Sequence, residues 1–181
     1  MNNTKKVILL DRDGVINEDP HGYISSAEKW YPIPGSLEAI SKLNHAGWQV
    51  FVITNQSGIG RGFYALADMH EIHEKMQKQL AMVGGHIQDI FFCPHHPEEN
   101  CQCRKPAPGL FYQVRDKYNI NLADTFFVGD KISDVKAGQK VGCQPILVMT
   151  GCGKQTIKEH PNLNVPCFAD LTAAVEFVLT R

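Results

Sequence analysis

Short apolar runs alternate along this chain with longer stretches in which apolar positions recur every three or four residues. Val7–Leu10 is the first such run, and the polar group Asp11-Arg12-Asp13-Gly14 follows it. Within Gly35–Gly47, the spacing of Leu37, Ile40 and Leu43 predicts one face of a helix that Gly47 ends. Gln49–Thr54 is β-branched and aromatic and reads as a buried strand. Leu66, Met69, Ile72 or His73, Met76, Leu80 and Val83 predict a second helix with a broad apolar stripe. Beyond it a strand ends at Ile90–Phe92, and a loop dense in Cys, His and Pro fills Cys93–Pro108. Helices at Leu110–Tyr118 and Ser133–Val141 then alternate with strands at Thr125–Val128 and Pro145–Met149, and a last helix covers Leu171–Leu179.

This alternation predicts an α/β fold: a doubly wound parallel sheet with helices on both faces. The strand segments are nearly continuous apolar runs, as strands covered on both sides should be. Ligands of such sheets sit beyond the carboxyl ends of the strands. The polar motifs lie there, with Asp11 after the first run, Thr54-Asn55-Gln56 after the second and Asp130 after a later one. The 181 residues contain no internal repeat, low-complexity segment or linker, which predicts one domain over 1–181.

A formal net charge of −1 gives no electrostatic reason to expect nucleic acid or an anionic membrane as partner. The apolar runs are too short to cross a bilayer, and the polar start Met1–Lys6 leads into too few apolar residues for a secretory signal. Both points indicate a cytoplasmic protein, and a monomer is the default for a compact domain. In a reducing compartment clustered cysteines suggest metal binding. Three of the six cysteines, Cys93, Cys101 and Cys103, fall within eleven positions, whereas Cys143, Cys152 and Cys167 are scattered and read as packing residues.

Asp11 and Asp13 lie two apart at a strand end, on the same side of an extended segment, where their repulsion favours a divalent cation. Oxygen ligands of this kind suit magnesium, which keeps waters and leaves room for a phosphate oxygen. Gly14 lets the backbone turn and approach a ligand. Thr54 offers a hydroxyl after a buried strand, Lys105 a cation between Arg104 and Pro106, and Asp130 a further carboxylate with Asp134 four residues on. Cys93-Pro94-His95 and Cys101-Gln102-Cys103 together supply three thiolates and an imidazole, a set that suits a closed, structural zinc site, with His96 the alternative to His95.

Asp11-Arg12-Asp13-Gly14-Val15, Thr54-Asn55-Gln56-Ser57, Arg104-Lys105-Pro106 and Gly129-Asp130-Lys131-Ile132-Ser133-Asp134 resemble, in order, the four motifs of the haloacid-dehalogenase-like (HAD) phosphatases, over about residues 7–151. The resemblance implies a nucleophilic Asp11 that forms an aspartyl-phosphate, and an Asp13 that protonates the leaving oxygen and later deprotonates water. Such double duty calls for a pKa near the working pH, which partial desolvation of Asp13 would supply. Thr54, Lys105 and magnesium would stabilise the phosphoryl oxygens. Asp11, the Asp13 backbone carbonyl and Asp130 resemble the magnesium ligands, and Asp134 is a further ligand, an outer contact or a helix cap.

Members of this superfamily with a zinc loop use the position of His95. They include phosphatases of heptose bisphosphates and of histidinol phosphate. His21-Gly22-Tyr23, Thr54–Gly62, Cys93–Pro97 and Cys103–Pro106 are most similar to the former, over nearly the whole chain. That implies a small phosphorylated sugar as substrate, D-glycero-D-manno-heptose 1,7-bisphosphate losing its 7-phosphate, and no large cap domain. The alternatives are a histidinol-phosphate phosphatase, a polynucleotide 3′-phosphatase and a non-catalytic zinc or phosphate-binding module. Asp19, His21, Gly22 and Tyr23 resemble the family's sugar-contact loop, with Pro20 as an insertion. Asn55, Gln56 and Ser57 belong to the second motif's substrate loop. A second phosphate needs cations away from the reacting centre, and Arg61, Arg104 and Lys131 are the candidates.

Overall fold

The computed structural model describes residues 6–19 and 22–181. Six parallel strands lie in the order β3-β2-β1-β4-β5-β6. They are β1 (Val7–Leu10), β2 (Gln49–Asn55), β3 (Asp89–Cys93), β4 (Phe126–Gly129), β5 (Gln144–Val148) and β6 (Cys167–Phe168). The helices are α1 (Ser36–His45), α2 (Leu66–Met82), α3 (Gly109–Tyr118), α4 (Ile132–Lys140), α5 (Gly153–Glu159) and α6 (Leu171–Leu179).

β1 is central, pairing with β2 from Val7↔Gln49 and with β4 from Ile8↔Phe126. Its four side chains are fully buried and alternate between two cores. Ile8 and Leu10 join Val50 and Val52 against α1, α2 and α6; Val7 and Leu9 join Phe51 and Ile53 against α3 and Ala137 of α4. Each such side chain withdrawn from water contributes about 2 kcal/mol, so a strand buried on both faces must be apolar at every position.

The chain runs from β1 outward to β2 and β3, then returns to lay β4 on the other side of β1. That reversal opens a crevice at the carboxyl ends of β1 and β4. Two glycines with positive φ, Gly14 (81°) and Gly151 (54°), let the loops after β1 and β5 close on the Asp130 carboxylate, where a Cβ on either would collide with it. Among the described residues no separate cap covers the crevice, and no helix is long and apolar enough to cross a membrane.

Two elements depart from the sequence pattern. α5 has the sequence GKQTIKE and buries only Gly153 and Thr156, so no apolar stripe announces it. It is held by polar contact: Thr156 Oγ1 donates to the Asp130 carbonyl at 2.8 Å, and a bare Gly153 fits against the Val148 carbonyl. β6 is a two-residue edge strand, too short for any period.

Candidate active site

Lys105 is the centre of the crevice. Its ammonium lies 3.0 Å from Asp11 Oδ1 and 2.7 Å from Asp134 Oδ1, and donates to the Ile53 carbonyl at 2.8 Å. All three charged side chains are at most 7% exposed. A buried ammonium tends to lose its proton, but the two carboxylates hold the Lys105 pKa above its ordinary value. Asn55, ending β2, fixes the Lys105 backbone from both sides, accepting its N–H at 3.0 Å and donating to its carbonyl at 3.1 Å. Asp134 also caps α4, its Oδ2 accepting the Lys131 N–H at 3.0 Å. Burial raises the Asp11 pKa first of all, Lys105 opposes the rise, and Asp134 adds to it.

Asp13 differs from the sequence expectation. Burial pushes its pKa up, yet Arg12, with hydrogen bonds from Asn17 and Gln56, overrides burial and holds the carboxyl below the usual carboxylate range. Arg12 Nε donates to Oδ1 at 2.9 Å and Nη2 to Oδ2 at 3.2 Å; Asn17 donates to Oδ1 at 3.0 Å and Gln56 to Oδ2 at 2.8 Å. Gln56 also donates to Thr54 Oγ1 at 2.9 Å, and Tyr64 donates to Gln56 Oε1 at 2.6 Å. Gln56 is therefore spent on positioning Asp13 and Thr54. Arg12 and Asn17, which contact Asp13, and Tyr64, which contacts Gln56, are neighbours of the site that motif spacing does not reveal; the one available signal was an arginine set between two acids at the end of an apolar strand.

Asp130 closes the crevice. Its Oδ2 accepts the Cys152 N–H at 2.7 Å, while Oδ1 is buried without a partner. Burial first, then Asp11 and Asp134, push its pKa up to about 8 against the pull of Lys131. Carboxylate oxygens of Asp11, Asp130 and Asp134 lie within 4.8 Å of one another. An orphaned acceptor inside a group of like charges fits a divalent cation.

The resulting cavity of about 260 Å³ is lined by Asp11, Asp13, Thr54, Asn55, Ser57, Arg104, Lys105, Lys131, Asp134 and also Ser133, which the motifs did not mark for this role. Arg104 Nη1 is buried there without a partner. The Lys131 ammonium is paired with Asp19 at 2.9 Å and stands 3.9 Å from Asp130. Arg61 and Tyr23 are exposed outside this lining, Tyr23 against Phe63 with ring centroids 4.8 Å apart; Gly22 is exposed, and His21 lies outside the described residues.

Ligand atoms of Cys93, His95, Cys101 and Cys103 gather within 4.8 Å. His95 Nδ1 is 3.2 Å from Cys103 Sγ, and the Cys93 and Cys101 sulfurs are 3.4 Å apart. His96 instead accepts the Glu98 N–H and caps the following turn. This loop is stitched to the second motif: Gln56 N–H donates to the Cys93 carbonyl and Gly60 N–H to the Pro94 carbonyl, both at 2.8 Å.

Residues 102–174 match the family model described as HAD-hydrolase-like. The D-glycero-β-D-manno-heptose-1,7-bisphosphate 7-phosphatase of Pseudomonas putida is 46% identical over 168 residues, 93% of this chain and 96% of that protein. Its namesake in Pseudomonas aeruginosa is 44% identical over 176 residues, 97% of this chain and 99% of the relative. Among solved structures, the D,D-heptose 1,7-bisphosphate phosphatase of Bordetella bronchiseptica, complexed with magnesium and phosphate, superposes with a TM-score of 0.94 at 41% identity, covering 97% of this chain and 98% of that one. Identity at this level across nearly the full length of both partners, with close superposition on a solved relative, means that the chain belongs to the heptose 1,7-bisphosphate 7-phosphatase family of HAD-like hydrolases.

Proposed function

We propose that this chain removes the 7-phosphate of D-glycero-β-D-manno-heptose 1,7-bisphosphate. The observation that carries the reading is the meeting of Asp11, Asp13, Thr54, Lys105 and Asp134 in one cavity, in a chain so similar to phosphatases named for this ester. The Asp11 carboxylate attacks phosphorus as the ester P–O bond breaks; Asp13, which Arg12, Asn17 and Gln56 hold ionised in the free site, takes up a proton as the phosphate dianion binds beside it and passes that proton to the departing sugar oxygen. Water, losing its proton to Asp13, then splits the aspartyl-phosphate and releases inorganic phosphate. Lys105 and the Thr54 hydroxyl stabilise the equatorial oxygens.

Asp11, the Asp13 backbone carbonyl and Asp130 suit magnesium, with Asp134 holding Lys105 beside them. Magnesium bound there supplies charge stabilisation for the transferring phosphoryl group. Arg104, with a buried N–H lacking a partner, is the first choice for the distal phosphate. Arg61 on its exposed loop and Lys131, once released from Asp19, add charge, while Ser57, Asn55, Asp19, Gly22 and Tyr23 border the sugar. The chain acts as one domain over 1–181, a cytoplasmic monomer with its metal loop at 93–108.

The test is magnesium-dependent phosphate release from both anomers of heptose 1,7-bisphosphate, histidinol phosphate and fructose 1,6-bisphosphate. The β anomer should exceed histidinol phosphate by at least ~100-fold in kcat/KM, the discrimination that buried polar contacts can supply. A preference for histidinol phosphate overturns the substrate and leaves the mechanism.

Zinc in the Cys93, His95, Cys101, Cys103 cluster takes no part in the chemistry. It fixes a loop that carries Arg104 and Lys105 at one end and holds Gln56 at the other. Stripping it with a thiol-competitive chelator at saturating magnesium should cost about 3 kcal/mol of stability, a fall of ~10 °C in Tm, along with activity. Freshly purified protein without zinc, or an unmoved Tm after chelation, contradicts the assignment.

A further inference from the structure

Arg12 is fully buried, one of the largest side chains in the protein with no contact with solvent. Removing a guanidinium from water costs several kcal/mol unless its donors are matched, and each nitrogen here has a partner. Nε and Nη2 grip the two oxygens of Asp13, and Nη2 also reaches Gln56 Oε1 at 3.1 Å. Nη1 faces Met69 Sδ at 3.3 Å and His73 Nε2 at 3.2 Å, both on α2. His73 stays neutral, because burial, and Arg12 after it, drive its pKa down to about 3; its Nε2 is then free to accept.

A planar fork on both oxygens fixes the plane of a carboxylate as well as its charge. Through Gln56 the same fork is tied to the Thr54 hydroxyl. We infer that Arg12, braced from α2 by His73, is a positioning residue that sets the orientation in which Asp13 meets the leaving oxygen. Resting on the acid role of Asp13 proposed above, the inference assigns a function to a side chain that touches no substrate.

Arg12→Lys tests it, since a lysine keeps the charge and loses the fork. The readout is kcat/KM on two esters. A sugar phosphate such as fructose 1,6-bisphosphate leaves as an alkoxide that needs a proton, whereas p-nitrophenyl phosphate leaves as a stable anion that does not. Because kcat/KM reports only steps up to departure of the alcohol, later water attack does not enter. Arg12→Lys should lower the sugar-phosphate value on the order of 100-fold and the aryl value by less than about 5-fold, the range of general acid catalysis. His73→Phe, which removes the brace and leaves Arg12 in place, should give the same bias at about a tenth of the size.

Asp13→Asn is the reference. If it shows the leaving-group bias and neither Arg12→Lys nor His73→Phe does, Arg12 is a structural ion-pair partner and the inference fails. If Asp13→Asn itself shows no bias, the acid role of Asp13 fails instead. Should Arg12→Lys not fold, His73→Phe decides, and equal losses on both esters overturn the proposal.

Discussion

Asp11→Asn should lower kcat by on the order of 10⁴-fold or more and leave the fold in place. The amide has no charge to attack phosphorus, and no neighbouring group can substitute: Asp13 is gripped by Arg12, Asn17 and Gln56, and Asp134 is committed to Lys105 and the α4 cap. Stability follows from the same geometry. The substitution removes one carboxylate from a buried group of like charges, and Lys105 keeps its 2.7 Å partner Asp134. Attraction lost to Lys105 is offset by repulsion relieved at Asp134 and Asp13, so the change in unfolding free energy should stay within about 1–2 kcal/mol. Phosphate release and a denaturant melt measure the two quantities. Retained turnover refutes Asp11 as nucleophile, and an unfolded variant refutes the account of its surroundings.

The legible part of this protein lay where one physical rule acts alone. β1 and β2 are covered on both faces, so their residues are uniformly apolar, and the polar residues that follow mark the strand ends at which ligands collect. The Cys/His loop was equally open, because four soft ligands in one short loop have few other uses. What the sequence hid depends on contacts between distant segments. Arg12 reads as one member of an acidic turn, and only the approach of α2, 57 and 61 positions away, shows that it is buried and braced. The Asp13 expectation missed for that reason: desolvation was foreseeable, the guanidinium that overrides it was not. α5 escaped because a hydroxyl on a backbone carbonyl holds it, a contact with no period.

Lys105→Met puts the charge arrangement to its hardest test. The substitution conserves much of the side chain's volume and removes its charge, leaving Asp11 and Asp134 without their shared cation in a site where all three are nearly inaccessible. Breaking a buried ion pair from one side costs about 3–5 kcal/mol, since the orphaned charge is left out of water. Turnover should fall at least ~10³-fold as well, because in the proposed mechanism Lys105 is the cation that stabilises the developing phosphoryl charge. The decisive comparison is the double substitution Lys105→Met with Asp134→Asn. With the second carboxylate made neutral, the pair should be more stable than Lys105→Met alone by roughly 1–3 kcal/mol, although it carries one more change, while its activity stays at the lower level. Simple addition of two destabilising effects would show that Lys105 and Asp134 act separately. Non-additivity in both quantities, with Asp134→Asn lowering activity only while Lys105 is present, means that Asp134 holds the lysine in place, and that the lysine, once held, is what the phosphate meets.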